Sequence, residues 1–179
     1  MAASPFTTKH HTKNQPVTKA LCTKKEFPLK KGFGVVALIL FILINESTIS
    51  WLLAVVVGQY SIDEGFERAF RYFNIVGFLF SGLFRLIPYL ILTLIVFKSK
   101  LTSNLAGWLA VWVAMFVVVA FHAYGYWEVQ HSLYTSEHTS STASIAFMFI
   151  PFHAIFYGSI AGAVVYLSGL FVKAVSNRA

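Results

Sequence analysis

The sequence predicts an all-α membrane protein: a four-transmembrane-helix bundle with a disordered basic N-terminal tail and a short interfacial amphipathic helix. Of its 179 residues, 57% are hydrophobic and only 12% are charged, whereas an average soluble domain has roughly 25% charged residues. A soluble fold of this size hides only about two-thirds of its chain surface, which is too little for so apolar a composition. Four apolar stretches approach or exceed the length of about 20 residues that crosses a bilayer.

Residues 1–31 form the predicted tail, and residues 32–179 form the predicted transmembrane domain. The tail is rich in Lys, Thr, Ser and Pro and has no apolar periodicity. Such a composition cannot bury enough apolar surface to fold, so we predict disorder. Seven lysines and a single acid, Glu26, make the tail basic. Beside a membrane span, this cluster indicates topology and contact with anionic headgroups rather than nucleic-acid binding.

The four predicted spans cover residues 33–57, 73–97, 105–123 and 143–172. The first span is interrupted by a polar patch that begins at Asn45. We favour one helix through the patch because both flanks are apolar enough to lie in lipid. The alternative ends the span near Ser50 and lays the following residues along the interface. Pro88 and Pro151 lie inside the second and fourth spans, where each leaves one helical carbonyl without its donor.

The segment 61–72 carries the clearest amphipathic signal in the chain. Ser61 and Glu64 have the spacing of a capping box. Acidic and basic residues follow at i,i+4 spacing, with the acid on the N-terminal side, as helical ion pairs prefer. Three phenylalanines fall on one side of such a helix: Phe66, Phe70 and Phe73. The pattern predicts an interfacial helix with its polar side towards water.

The loops differ in their Lys and Arg content, which predicts the orientation. The tail, the second loop and the C-terminus hold eleven of these residues, whereas the opposite side holds only Arg68 and Arg71. Positive residues stay on the cytoplasmic side, so both termini are predicted to be cytoplasmic. The Lys-rich tail and compact loops favour a bacterial inner membrane. The predicted partners are the lipid bilayer and another membrane protein or a second copy of the chain, with no nucleic acid.

Glu46 and Arg85 are predicted to form an ion pair inside the membrane. Glu46 lies 13 residues from the cytoplasmic start of the first span, and Arg85 lies 12 residues from the cytoplasmic end of the second. At about 1.5 Å per residue, both lie roughly 18–20 Å deep. Charges at such depth usually face inward and pair. The pair is structural if it fixes helix register, and functional if it relays protons or ions or binds a polar headgroup.

Small residues at i,i+4 spacing predict close packing between helices. The predicted packing residues are Gly77 and Ser81 in the second span and Ala154, Gly158 and Gly162 in the fourth. Gly77 and Ser81 share the face of Arg85, and an alanine row in the third span repeats the spacing: Ala106, Ala110 and Ala114. These rows predict either a tight bundle or a dimer through the fourth span.

Two histidines raise the alternative of a haem cofactor. His122 and His153 lie at comparable depth in the outer parts of the third and fourth spans. Two imidazoles that face each other across a bundle could hold a b-type haem iron. Glu128 and His131 have the spacing used in carboxylate-bridged metal sites, but the further carboxylates are missing, so no metal is predicted. Cys22 is the only cysteine, which excludes thiol oxidoreductases that need a cysteine pair.

The sequence contains no recognisable catalytic motif. We therefore predict a non-enzymatic membrane protein that acts through protein–protein contacts, in an accessory, assembly or immunity-type role. One alternative is a small oligomeric transporter or channel that uses the pair Glu46 and Arg85. The other is a membrane redox protein with haem between His122 and His153. No internal repeat is evident, which disfavours the inverted-repeat transporter folds.

Overall fold

A computed structural model describes residues 17–71, 73–135 and 143–177 of the chain. The described residues form helices and no strand. The helices are α1 (Val17–Leu43), α2 (Glu46–Val56), α3 (Ile62–Phe70), α4 (Ile75–Lys98), a 3-10 turn (Leu101–Ser103), α5 (Leu105–Thr135) and α6 (Ala143–Ser176). Three of them, α4, α5 and α6, are long and apolar enough to cross a membrane. A fourth span results if α1 and α2 together count as one bent span.

The first predicted span is broken at Asn45. Helix α1 ends at Leu43, α2 begins at Glu46, and the two helices are bent by 57°. The Asn45 amide caps both ends of the break: its oxygen accepts from the Thr48 N–H at 2.9 Å, and its nitrogen donates to the Ile42 carbonyl at 2.8 Å. The prediction of one continuous helix over residues 33–57 is therefore wrong, because a short amide side chain competes here with the helical hydrogen-bond ladder.

Helix α1 begins at Val17, well before the predicted start of the first span at residue 33. The prediction of disorder is thus corrected for residues 17–31, and residues 1–16 lie outside the described residues. Residues 17–31 contain five lysines and two leucines, residue types with high helix propensity. The apolar helix that follows also removes the nucleation cost, since each added residue only extends an existing helix.

Helix α5 continues to Thr135, twelve residues beyond the predicted end of the third span at residue 123. The predicted polar loop from residue 124 is helical as far as 135, and its remainder, 136–142, lies outside the described residues. Burial explains the extension, because Tyr126 and Gln130 are buried and Tyr126 packs with Ile49 and Leu53 of α2. The bounds of α4 and α6 agree with the predicted second and fourth spans to within four residues.

Helices α4 and α5 lie at the centre of the fold. Helix α6 packs along α5, α1 packs on α4, and α2 packs on the last third of α5. The main core joins Phe33 of α1 and Val96 of α4 to Met115 and Val118 of α5. Large apolar side chains remain exposed along the outer helix faces. An outer surface of this kind fits apolar surroundings, which is the arrangement expected of a bundle in lipid.

Helix α3 forms the capping box that the sequence predicts. The Glu64 N–H donates to the Ser61 hydroxyl oxygen at 3.3 Å, and the Ser61 N–H donates to the Glu64 carboxylate at 3.2 Å. One of the acid–base pairs at i,i+4 spacing also forms, with 3.7 Å between Glu67 and Arg71. The helix is therefore stabilised by local interactions at its start, and it also packs on α2, where the Trp51 indole N–H donates to the Ile62 carbonyl at 3.2 Å.

Candidate functional site

Polar side chains from three helices converge where the first span breaks. Two rows on neighbouring helices supply most of them, each with residues four positions apart and hence on one helix face. The row on α4 is Ser81, Arg85 and Tyr89, and the row on α5 is His122, Tyr126 and Gln130. Glu46, the first residue of α2, completes the set. We call these seven residues the polar cluster.

Glu46 lies at the break and connects the three helices. The Ser81 hydroxyl donates to its carboxylate at 3.2 Å. The Gln130 side-chain amide donates to its backbone carbonyl at 3.1 Å. A carboxylate in the first turn of a helix is also favoured by the positive end of the helix dipole. The break at Asn45 therefore aims Glu46 at α4 and α5.

Arg85 is buried between aromatic rings. Only 1% of the residue is exposed, and its guanidinium carbon lies 4.8 Å from the Phe41 ring centroid and 5.4 Å from that of Phe78. Contacts between a desolvated cation and aromatic faces stabilise by about 2 kcal/mol. However, none of its three side-chain nitrogens has a hydrogen-bond partner within the described part of the chain. The Tyr126 hydroxyl is within interaction range of the guanidinium, and most of the five N–H donors are left without an acceptor, which is costly in a buried site.

The predicted ion pair is not formed. Among the described residues, no Glu46 carboxylate oxygen lies within 4.0 Å of an Arg85 nitrogen. The two residues do share the level that the sequence predicts, since Ser81, one turn from Arg85, contacts Glu46. The break turns the carboxylate towards Ser81, while the guanidinium points to the Phe41 and Phe78 rings. The Tyr126 hydroxyl lies near both charges and interacts with the Arg85 guanidinium.

Tyr89 and His122 add two more buried polar atoms without a partner among the described residues: the Tyr89 hydroxyl and the His122 Nε2. Their ring centroids lie 5.6 Å apart. The His122 Nδ1 lies 2.8 Å from the Val118 carbonyl. Because a carbonyl only accepts, this geometry assigns the hydrogen to Nδ1 and leaves Nε2 of the neutral ring as an acceptor. The cluster therefore offers unused donors on Arg85 and Tyr89 beside one unused acceptor.

A cavity of about 230 Å³ opens beside the polar cluster. It is lined by Glu46, Gly77, Phe80, Ser81, Phe84, Tyr126, Phe147 and Met148. Gly77 is predicted to pack against another helix, but a Cβ built there would meet nothing within 4 Å. The residue borders the cavity instead. An apolar, largely aromatic wall with a few polar groups is typical of small-molecule sites.

The small residues of α6 lie against α5 within the same chain. A Cβ on Gly158 would lie 2.9 Å from a Val118 methyl. A Cβ on Gly162 would lie 3.1 Å from the Ala110 carbonyl and 3.2 Å from the Ala114 methyl. Ala154 is also fully buried. The structure thus places this row and two members of the alanine row in one internal α5–α6 seam, and not on a free dimer face.

The two histidines of the haem alternative are not brought together. His122 is fully buried in the polar cluster, whereas His153 lies exposed on α6, with its Nδ1 2.9 Å from the Phe149 carbonyl. An exposed and a buried imidazole do not frame one common cavity. No group of three or more His, Cys, Asp or Glu side chains that could hold a metal occurs among residues 17–71, 73–135 and 143–177.

Sequence reasoning missed Tyr89, Tyr126 and Gln130. The signal was present, because Tyr126 and Gln130 follow His122 at every fourth position and so lie on the same helix face. The prediction of a loop from residue 124 hid this periodicity.

No protein-family model, curated protein or solved structure matches this chain.

Proposed function

We propose that the chain is an integral membrane protein that crosses the membrane four times, with α1 and α2 as one bent span. Three helices of spanning length and the bent pair support this count. The asymmetric distribution of Lys and Arg supports cytoplasmic termini. The lysine-rich N-terminal segment and compact loops support placement in a bacterial inner membrane. In this arrangement the polar cluster lies inside the membrane.

We further propose that the protein is a non-enzymatic transporter or channel for a small polar solute. One observation carries this proposal: the break at Asn45 lies beside the buried Arg85 and the cavity. Within a membrane, irregular backbone is tolerated only where protein buries it or where it lines a cavity. Transporters place their solute sites at such discontinuous helices.

The lack of an ion pair at Arg85 supports a functional role for this residue rather than a purely structural one. An arginine at the centre of a membrane helix costs about 2.5–3.5 kcal/mol on insertion scales. A structural ion pair would offset part of this cost, but Glu46 and Arg85 are not in contact. Buried charges without a structural partner are the residues expected in a solute path. Four helices enclose little volume, so we expect the transporting form to be an oligomer.

Osmotic swelling of proteoliposomes tests the proposal. Vesicles with the purified chain are mixed with iso-osmotic urea, glycine betaine or potassium gluconate with valinomycin, and light scattering reports solute entry. We expect at least one solute to enter faster than in protein-free vesicles. The variants Glu46→Gln and Arg85→Gln should lose the excess rate of solute entry. The variants Glu128→Gln and Arg71→Gln, at exposed positions, are matched controls and should keep it. Equal rates with and without the protein for all three solutes would refute transport.

A second candidate is the contact role that the sequence favours. Helix α6 supports it, because it is the least buried of the three long apolar helices and leaves a row of aromatic side chains exposed: Phe149, Phe152, Phe156 and Phe171. Such a face accepts another apolar helix as readily as lipid. A mild-detergent pull-down with mass spectrometry separates the two candidates. A stable foreign partner that is lost on Phe156→Ser supports the contact role, and a homo-oligomer alone supports transport.

A further inference from the structure

A larger cavity, of about 680 Å³, opens where α5 begins and α6 ends. It shares no lining residue with the cavity at Glu46. Ala106 of α5 and Gly169 of α6 both line it and touch each other, because a Cβ on Gly169 would lie 2.5 Å from the Ala106 methyl. Two small residues at a helix contact leave a depression between the larger side chains around them. We call this cavity the terminal groove.

Polar and apolar side chains are separated along the terminal groove. Leu109 and Val165 lie at the end that reaches into the bundle. Val165 precedes Lys173 by eight residues, which is about 12 Å along the helix axis, and Ser168 is the one polar lining residue between them. The other polar lining residues gather at the helix ends: Asn104, Lys173, Ser176 and Asn177. The groove therefore runs from a polar mouth to an apolar interior.

The polar mouth is positively charged. Lys173 is exposed and forms no ion pair among the described residues. The segments at this end of the fold, 98–105 and 165–177, contain three lysines and no Asp or Glu. The Asn104 side-chain oxygen accepts from the Gly107 N–H at 2.7 Å, which leaves the NH2 group of this amide as a donor for a ligand. The mouth therefore attracts an anion.

A phospholipid has the same division between a polar head and an apolar chain. In the membrane arrangement proposed above, the mouth lies at the cytoplasmic surface, where anionic lipids attract basic residues. At about 30 Å³ for a water-sized group, the volume of about 680 Å³ holds roughly twenty non-hydrogen atoms. This is enough for a headgroup, its glycerol and the first part of one chain, and the remainder of the lipid then lies in the bilayer.

We propose that the terminal groove binds one anionic phospholipid of the cytoplasmic leaflet. Its phosphate contacts Lys173 and the Asn104 amide, and one acyl chain lies along Leu109 and Val165. The site is independent of the proposed transport and requires only the membrane arrangement of the helices.

Two lipids with equal chains test the charge requirement. Native mass spectrometry of the full chain in a non-ionic detergent measures the dissociation constant of the first bound lipid. Dilauroyl phosphatidylglycerol carries a net negative charge, and dilauroyl phosphatidylcholine has none. One basic residue near anionic lipid contributes a factor of about five, so we expect phosphatidylglycerol to bind at least fivefold more tightly. Equal affinities would overturn the proposal. So would displacement by glycerol 3-phosphate, which has no chain and would indicate a site for a soluble phosphate.

Lysine variants locate the headgroup. Lys173→Gln should weaken phosphatidylglycerol binding about fivefold or more and leave phosphatidylcholine binding unchanged, whereas Lys173→Arg should bind like wild type. Lys98→Gln is the matched control, because Lys98 is exposed at the end of α4 but does not line the groove. An equal loss in Lys98→Gln would indicate a diffuse basic surface and refute a site in the groove.

A filled groove locates the chain. Ser168→Phe adds a ring at an exposed lining position without changing charge, so it should weaken phosphatidylglycerol binding fivefold or more. Leu167→Phe is its control, since Leu167 is exposed beside it but outside the lining. Wild-type binding in Ser168→Phe would place the lipid elsewhere. A smaller oligomer mass in this variant, with no lipid bound to wild type, would assign the groove to a second copy of the chain and also overturn the proposal.

The lipid site and the proposed transport can fail separately. Solute entry into proteoliposomes without selective phosphatidylglycerol binding keeps transport and removes the lipid site. Selective binding that Lys173→Gln abolishes, without any solute entry, keeps the lipid site and removes transport.

Discussion

Replacing Asn45 by alanine tests whether one side chain holds the break in the first span. Asn45 is only 8% exposed and makes three hydrogen bonds: from the Thr48 N–H at 2.9 Å, to the Thr48 hydroxyl at 2.8 Å and to the Ile42 carbonyl at 2.8 Å. Loss of an N-cap costs about 1 kcal/mol, and each further hydrogen bond contributes about 1 kcal/mol. The higher helix propensity of alanine returns up to about 0.7 kcal/mol.

We therefore expect Asn45→Ala to lower the free energy of unfolding by about 2 kcal/mol, measured by denaturant titration in mixed micelles. Asn45→Ser keeps a capping oxygen and should lose less. Asn74→Ala is a matched control, because Asn74 caps the exposed start of α4 with a single bond to the Val76 N–H at 3.0 Å. Its loss should be about 1 kcal/mol.

Spin labels check the geometry directly. A straight helix would separate the backbone at Leu29 and Val56 by about 40 Å, and a 57° bend near Asn45 shortens this distance by several ångströms. Both positions are exposed and accept labels, in a Cys22→Ser background. An unchanged stability of Asn45→Ala, together with a distance near that of the straight helix in the parent chain, would refute the broken span. The continuous helix that the sequence predicts would then be correct.

Three further predictions concern packing, the buried charge and topology. Gly162→Leu should lower the free energy of unfolding by about 1–3 kcal/mol through overpacking of the α5–α6 seam, with no change in oligomer mass by light scattering; a loss of oligomer mass would instead place this face in a dimer. Arg85→Met should change the free energy of unfolding by no more than about 2 kcal/mol, because the lost ring contacts are offset by removal of a desolvated charge. A decrease of about 3–5 kcal/mol, as for a broken buried ion pair, would restore the predicted pair. In intact cells, native Cys22 should resist a membrane-impermeant thiol reagent and Ser136→Cys should react, and the reverse labelling would invert the orientation.

The long apolar helices could be predicted from the sequence because their signal is local. Hydropathy over about 20 residues locates α4 and α6, and the Ser61 capping box locates α3. Hydropathy does not predict the break at Asn45 or the end of α5, because both depend on specific side-chain interactions. At Asn45, one side chain outcompetes the helical ladder, although apolar residues continue on both sides. At Tyr126, burial against α2 extends a helix through residues whose polarity is typical of a loop.

The candidate site could be predicted only in part. Counting residues from the ends of the predicted spans places Glu46 and Arg85 at the same depth. The structure agrees, because Ser81, one turn from Arg85, donates a hydrogen bond to Glu46. Depth does not fix rotation about the helix axis or the bend of the first span, so the predicted ion pair does not follow from it. Likewise, the small size of Gly77 and Gly162 is visible in the sequence, but the neighbour of each is not. Gly77 borders open space, whereas Gly162 packs closely against α5.

The position of the cavity within the fold favours a functional origin. Along α5 and α6, small residues close the seam so tightly that a single added carbon at Gly162 would lie within 3.2 Å of α5. Where α2 meets α4, Tyr126 of α5 and Phe147 of α6, the same chain keeps a broken helix and an open volume, with an arginine nearby that forms no ion pair among the described residues. Sequences under selection for stability alone would replace these with apolar residues, often with a gain. A functional site typically combines unfavourable features, such as a broken helix and a buried charge, in one place while the rest of the protein is well packed. Solute entry requires one wall of the cavity to move, and the α5–α6 seam is already closely packed at Gly158 and Gly162. The bend at Asn45 is therefore the element that we expect to open.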